Sequence, residues 1–207
     1  SRGFLWVSTQ GGGLSRYDGY EFVHFNVNST PISLKSNFIR NTYEDKFNRL
    51  WIISDMGVDV IDLKTLTKCD FPELAEFTQG ISECLTSAIY NDSKGNIWIA
   101  FDEKLSRISF DGNGKIANLI TLPTKTQKSD YAFSIISEIG NEIWIGSKGR
   151  VYKVNTGQSH LNLQLAADPL DFGNNAFVSS IIEKEKTVWI GTEYGLYRYN
   201  QIDNTLR

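Results

Sequence analysis

The side chains with reactive chemistry to offer are few. Two histidines, His24 and His160, and two cysteines, Cys69 and Cys84, stand in a chain of 207 residues. A hydrolase or lyase needs convergent carboxylates, a nucleophile with a base, or metal ligands. His24 lies in the alternating run from Phe22 to Phe25 and His160 near the start of a strand-like segment, so both read as surface or packing positions. The cysteines are fifteen positions apart, a poor basis for a metal site. They are either two half-buried thiols or one disulfide in an oxidising compartment, because sequence separation does not say whether their Cα atoms come within about 4.4 to 6.8 Å. No phosphate-binding loop, Cys-x-x-Cys pair or His-Glu-x-x-His sequence occurs. Gly11-Gly12-Gly13 is followed by no helical pattern and reads as a return between strands, since a phosphate cradle needs a helix N-terminus behind it. No metal, no cofactor and no catalytic residue is expected.

Carboxylates are the one set that could converge. Glycosidases work with two carboxyl groups aimed into one cleft, and Asp55, Asp102 and Glu193 fall at or near equivalent turns of the pattern described below. Turns also favour Asp and Glu for local hydrogen bonding, and Asp45, Asp92 and Asp111 carry that explanation more strongly because each precedes a recognisable turn. Tyr20, Phe22 and Phe25 could stack on a sugar ring, although their alternation fits core and edge packing. The candidate ligand contacts are Gln10, Asp55, Asp102, Lys148, Glu193 and Tyr194, all on loops that would share one rim.

The elements that must place those loops are strands. Val188-Trp189-Ile190-Gly191-Thr192, a polar break, then Leu196-Tyr197-Arg198-Tyr199-Asn200 form a hairpin signal. The phrase recurs around Trp6, Trp51, Trp98 and Trp144, so all five tryptophans of the chain share one period, spaced 45, 47, 46 and 45 residues apart. Around each, short apolar or alternating runs are separated by turn residues such as Asp18-Gly19. The runs are Asn37 to Glu44, Leu50 to Ser54, Val58 to Asp62 and Leu66 to Phe71 in the second repeat. No helix-period segment of useful length is seen, and the chain reaches Arg207 as its last strand should begin. Four short strands per repeat at a period near 46 predict an all-β fold, a β-propeller of four-stranded antiparallel blades. A β-sandwich would lack the fixed superperiod. About five blades are expected, at 1–30, 31–78, 79–125, 126–170 and 171–207, within a single domain. The first lacks its opening strand. Trp6, Trp51, Trp98, Trp144 and Trp189 are expected to wedge between neighbouring blades.

Composition narrows the partners. Twenty-one basic and 24 acidic residues give a net charge of -3 with no blocks of one sign, so nucleic acid is a poor partner. No apolar run approaches the roughly 18 to 20 residues of a membrane span, and no signal peptide precedes Ser1, which suits a cytosolic protein or an excised mature ectodomain.

Asp92-Ser93-Lys94-Gly95-Asn96-Ile97-Trp98-Ile99 and the run from Trp189 to Asn200 resemble the two-component-regulator propeller repeat, and Gly3 to Phe22 is similar to its opening copy. The resemblance covers essentially the whole chain. It implies the periplasmic sensory region of a hybrid two-component histidine kinase of the Bacteroides type, the ectodomain of an inner-membrane protein regulating glycan utilisation. It also implies a seven-bladed ring, of which about five blades would be a fragment; a closed five-bladed ring is the alternative. The kinase and the membrane span belong to downstream parts outside these residues. Ala100-Phe101-Asp102 and Ile53-Ser54 depart from the Gly-Thr of the repeat. Expected partners are an oligosaccharide and a second copy of the chain, as a dimer. A propeller-fold lyase or glycosidase, and a ligand-free interaction scaffold, are the alternative functions.

Overall fold

The computed structural model describes residues 3–78, 87–101, 104–122, 133–157, 160–167, 176–201 and 205–206. Five antiparallel sheets follow one another along the chain, each a meander in which strands adjacent in sequence are adjacent in space. The first has three strands, β1 (Leu5–Ser8), β2 (Leu14–Tyr17) and β3 (Phe22–Phe25). The second holds β4 (Ile39–Glu44), β5 (Arg49–Ser54), β6 (Gly57–Asp62) and β7 (Thr67–Lys68), and is followed by a helix, α1 (Pro72–Thr78). β8 (Ser87–Asn91), β9 (Ile97–Phe101), β10 (Lys104–Phe110) and β11 (Ile116–Leu122) make the third. The fourth is β12 (Ile135–Ile139), β13 (Glu142–Gly146), β14 (Val151–Asn155) and β15 (Leu163–Ala167). The fifth is β16 (Val178–Lys184), β17 (Thr187–Thr192), β18 (Gly195–Asn200) and β19 (Thr205–Leu206). Such meanders are the blades of propellers.

Three details differ from the sequence expectation. Where Leu66 to Phe71 was expected to be one strand, the strand is Thr67–Lys68, followed by one further bond to β6 from Cys69 N to the Val60 carbonyl at 2.8 Å, and Leu66 is in a turn at φ 53°. A helix follows, started by Pro72 at its first position and Glu73 in its first turn, both suited to a helix N-terminus. At the end of the chain, Thr205 and Leu206 already pair with Asn200 and Tyr199, so the fifth sheet has its fourth strand.

Local side-chain chemistry makes the tight returns. Asp18 Oδ1 accepts the N–H groups of Tyr20 and Glu21, Asp62 Oδ1 those of Lys64 and Thr65, and Asp111 Oδ1 those of Asn113 and Lys115. These are Asx turns, in which the carboxylate replaces a backbone acceptor.

The chain packs as two compact units. One comprises residues 1–85 with 109–119, the other 86–108 with 120–207. In the first unit, Leu14 and Phe25 of the first sheet meet Ile39, Leu50, Ile52 and Ile61 of the second, with Ile32 and Leu34 closing the core. Trp51 is fully buried between Phe71 and Phe110, at ring separations of 5.9 Å from each. Its indole N–H donates to Asp45 Oδ2 at 2.8 Å, and the same carboxylate binds the Arg49 guanidinium, whose Nη1 also donates to the Gly114 carbonyl. The guanidinium lies over the faces of Phe47 and Phe110, at 4.7 and 4.6 Å from the ring centroids. A buried ion pair is tolerated there because hydrogen bonds and ring faces replace its lost hydration.

In the second unit, Trp98 packs with Phe133, just before β12, and with Ile136, Ile143, Ile145 and Val154 of the following sheet, and Trp144 with Val178, Ile181, Val188, Ile190 and Tyr199 of the next. Both wedge between consecutive sheets. Trp98 Nε1 donates to Asp92 Oδ2 at 2.9 Å, repeating the Asp45–Trp51 bond six residues apart. Trp144 Nε1 is buried without a partner. Turn length explains the difference. The returns before β5 and β9 run over Asp45–Asn48 and Asp92–Asn96 and place their first Asp under the indole, whereas the return before β13 is the pair Gly140-Asn141. The residue six before Trp144 is therefore Glu138, inside β12, and its carboxylate accepts the backbone N–H and hydroxyl of Ser93 instead. Trp6 and Trp189 are half-buried.

Candidate functional site

The predicted loop residues occupy one recurrent place in the blades. In the first unit the return after β1 lies against the start of the second sheet: Gly11 N and Gly13 N donate to the Asn37 carbonyl, Ile39 N donates to the Thr9 carbonyl, and Gln10 bridges to Phe38. The second unit repeats the clamp. Gly149 N donates to the Ala176 carbonyl, Val178 N to the Ser147 carbonyl, and Lys148 bridges to Phe177. In both places the turn after the tryptophan strand thus holds the entry strand of the following blade by main-chain bonds, independent of side-chain identity. That leaves the side chains at Gln10 and Lys148 free to vary.

Two acidic residues complete the arrangement, Asp55 through its main chain and Glu193 through its carboxylate. Asp55 donates its backbone N–H to the Phe38 carbonyl at 3.3 Å, and Glu193 Oε1 accepts the Phe177 N–H at 3.3 Å. Each entry phenylalanine is therefore joined at its main chain to a turn residue with a long polar side chain and to an acidic residue: Gln10, Phe38 and Asp55 in the first unit, Lys148, Phe177 and Glu193 in the second. Phe38 is 47% and Phe177 36% exposed, and Tyr194, next to Glu193, is 67% exposed. Lys148 Nζ lies 6.0 Å from the Phe177 centroid. Asp55 Oδ1 is shielded from solvent and accepts no hydrogen bond. Asp102, the remaining predicted contact, lies outside the described residues.

The other candidates take structural roles or none. Phe25 is buried, whereas Tyr20 and Phe22 are exposed. His24 Nδ1 shares a hydrogen bond of 2.8 Å with the Ser15 hydroxyl, and His160 is exposed. Cys69 is a free thiol whose pKa burial pushes above its ordinary value, which disfavours the thiolate; Cys84 lies outside the described residues. No group of three or more His, Cys, Asp or Glu suited to a metal ion is found among the described residues. Asp59 is buried but fully engaged, accepting the Lys35 N–H at 2.7 Å and pairing with Lys68 Nζ at 2.8 Å. Sequence reasoning missed Phe38 and Phe177. The available signal was positional, since each stands just before the first buried aliphatic of its sheet, Ile39 and Val178. It also took Asp45 and Asp92 for ordinary turn acids, although both stand six residues before a tryptophan.

No family profile and no curated protein matches the sequence. Solved structures do. The extracellular domain of BT3049 from B. thetaiotaomicron, assigned as a hybrid two-component system, superposes over 100% of this chain at 20% identity with a TM-score of 0.71. The extracellular domain of BT4673 from the same organism, assigned as a one-component system, does so over 100% at 19% identity with a TM-score of 0.70. Virginiamycin B lyase from Staphylococcus aureus matches 94% of the chain and 61% of its own length, at 15% identity and a TM-score of 0.66. This chain spans only 28% and 29% of the two B. thetaiotaomicron domains. Five antiparallel meander sheets and these likenesses together make the fold a partial β-propeller.

Proposed function

We propose that this chain is a non-catalytic ligand-recognition segment of a periplasmic sensor propeller, part of a hybrid two-component system that regulates glycan use and recognises an oligosaccharide at the blade rim. The observation that carries it is the superposition of the whole chain on two extracellular sensor domains. The rim supports it. Gln10 and Asp55 in one unit, and Lys148, Glu193 and Tyr194 in the other, stand on or beside main-chain clamps of the same kind, which suits selective binding of a polyhydroxylated ligand. With Asp102 these are the residues proposed to contact it. The test is transcriptional: in a bacterium carrying the full-length protein, a glycan-dependent transcript should appear with the intact protein and vanish when this segment is deleted. Constitutive or glycan-independent expression in both strains overturns the proposal.

A lyase on the same scaffold is the second reading, favoured by the likeness to virginiamycin B lyase. It requires product formation from an oligosaccharide incubated with the purified chain, and loss of that product on Asp55→Asn or Glu193→Gln.

A further inference from the structure

We infer that Phe38 and Phe177 are the stacking platforms of two equivalent saccharide subsites, each completed by the flanking pairs Gln10 with Asp55 and Lys148 with Glu193. This rests on the saccharide recognition proposed above and assigns it to two aromatic rings. A pyranose has an apolar face of C–H groups and a polar perimeter of hydroxyls. Its complement is a flat, solvent-facing ring with forked polar groups at its edge. Both rings meet that description. They are the entry residues of their sheets, held at the backbone by the preceding turn, and still 47% and 36% exposed, although the residues that follow them, Ile39 and Val178, are buried. The platform is thus fixed by main-chain bonds while part of the ring stays exposed, a pre-organised arrangement that loses little freedom on binding.

The polar edges fit the same ligand. An Asp or Glu carboxylate accepts from two hydroxyls, a Gln amide both donates and accepts, and a Lys ammonium donates three bonds. Gly11, at φ +112°, faces the Phe38 ring, with the place of a Cβ 3.9 Å from its tip, so the backbone conformation itself keeps a side chain off that flank. The two subsites differ in charge. Gln10 with Asp55 suits a neutral sugar, and Lys148 with Glu193 can also meet a carboxylate or sulfate substituent.

The probe is an array of plant, fungal and host oligosaccharides, followed by calorimetry of the 207-residue chain with each sugar retained. Phe38→Ala and Phe177→Ala remove partly exposed rings. Phe38→Trp and Phe177→Trp keep a platform and add a fluorescence signal at the site. At least one oligosaccharide should bind, its affinity should fall roughly three- to tenfold for the alanine variant at the occupied subsite, the reach of one aromatic contact, and the tryptophan variant should restore binding with a change in emission. A sugar that binds the double alanine variant as tightly as the parent overturns the two subsites and leaves saccharide sensing standing. A chain that retains nothing on the array overturns both. Binding of an extended peptide, with no sugar retained and with the same sensitivity to the alanine variants, overturns the ligand class alone.

Discussion

Three fully buried tryptophans do the same packing with unequal polar support, and the inequality is measurable. Trp98 donates its indole N–H to Asp92, whereas Trp144 Nε1 is buried with no acceptor among the described residues. Phenylalanine in either place removes a similar area of ring. At Trp98 it also strips a donor from Asp92, a carboxylate only 2% exposed, and at Trp144 it removes a polar atom that was already unmatched. Trp98→Phe is expected to cost about 1 to 3 kcal/mol more than Trp144→Phe, read as the difference in urea midpoints at constant slope. Equal costs would mean that the Asp92 bond adds nothing to stability.

Among the strands and turns, the Asx turn at Asp62 links architecture to pH. Backbone N–H groups of Thr65 and Lys64 hold its carboxyl below the ordinary value of 3.8, with burial opposing and the Lys64 charge assisting weakly. A carboxyl that titrates lower in the folded chain than in the unfolded one favours folding in its ionised form. That contribution is complete above pH 3.8 and drains away as the pH falls through the lower folded value. Asp62→Ala should therefore lower the unfolding midpoint at neutral pH and converge on the parent curve in strong acid, followed by circular dichroism across an acid series. A gap that persists unchanged into strong acid would exclude the carboxylate as its source.

For the molecule as a whole, the decisive contacts are those between consecutive sheets. Gly146 and Gly191 both stand two residues after a tryptophan, but a Cβ on Gly146 would come 2.7 Å from Val178 of the next sheet and 2.5 Å from Ile135. The close approach for a Cβ on Gly191 is to the rotatable Ser180 hydroxyl at 2.3 Å, with the Ser180 Cβ and the Ser179 hydroxyl at an ordinary 3.7 Å. Gly146→Ala is expected to destabilise the second unit by about 1 to 3 kcal/mol, as over-packing does, and Gly191→Ala by well under about 1, measured by thermal unfolding. The same register puts Ile182, Trp189 and Leu196 on one face of the fifth sheet, and Ile182 and Leu196 are 60% and 66% exposed. Leu5 and Phe22 share a face of the first sheet at 58% and 52% exposure. Inside the units such faces are mated in pairs, a tryptophan face against an aliphatic one. The purified chain should therefore self-associate with rising concentration in sedimentation velocity, and Ile182→Lys with Leu196→Lys should return it to monomer. A monomer at all concentrations would speak against this.

The blade plan was legible in the chain because it depends on local period. Strands alternate, Asp and Gly mark the returns, and one large aromatic per repeat must be buried somewhere; each of these is written in neighbouring residues. Leu66 at positive φ escaped notice because no local preference announces it, and α1 because seven residues are too few to show a helical period. The rim was half legible. Gln10, Asp55, Lys148 and Glu193 could be picked as turn residues in equivalent repeats, yet the rings between them could not, since Phe38 and Phe177 look like ordinary strand residues until one blade's turn is seen gripping the next blade's entry strand. The bonds from Trp51 to Asp45 and from Trp98 to Asp92 were within reach of the sequence, since each lies inside one hairpin at a spacing of six residues. Whether a side chain at a given position ends up buried, paired or open depends on what the adjoining sheet brings to it, and that is a property of packing between segments about 46 residues apart, beyond the reach of any local pattern.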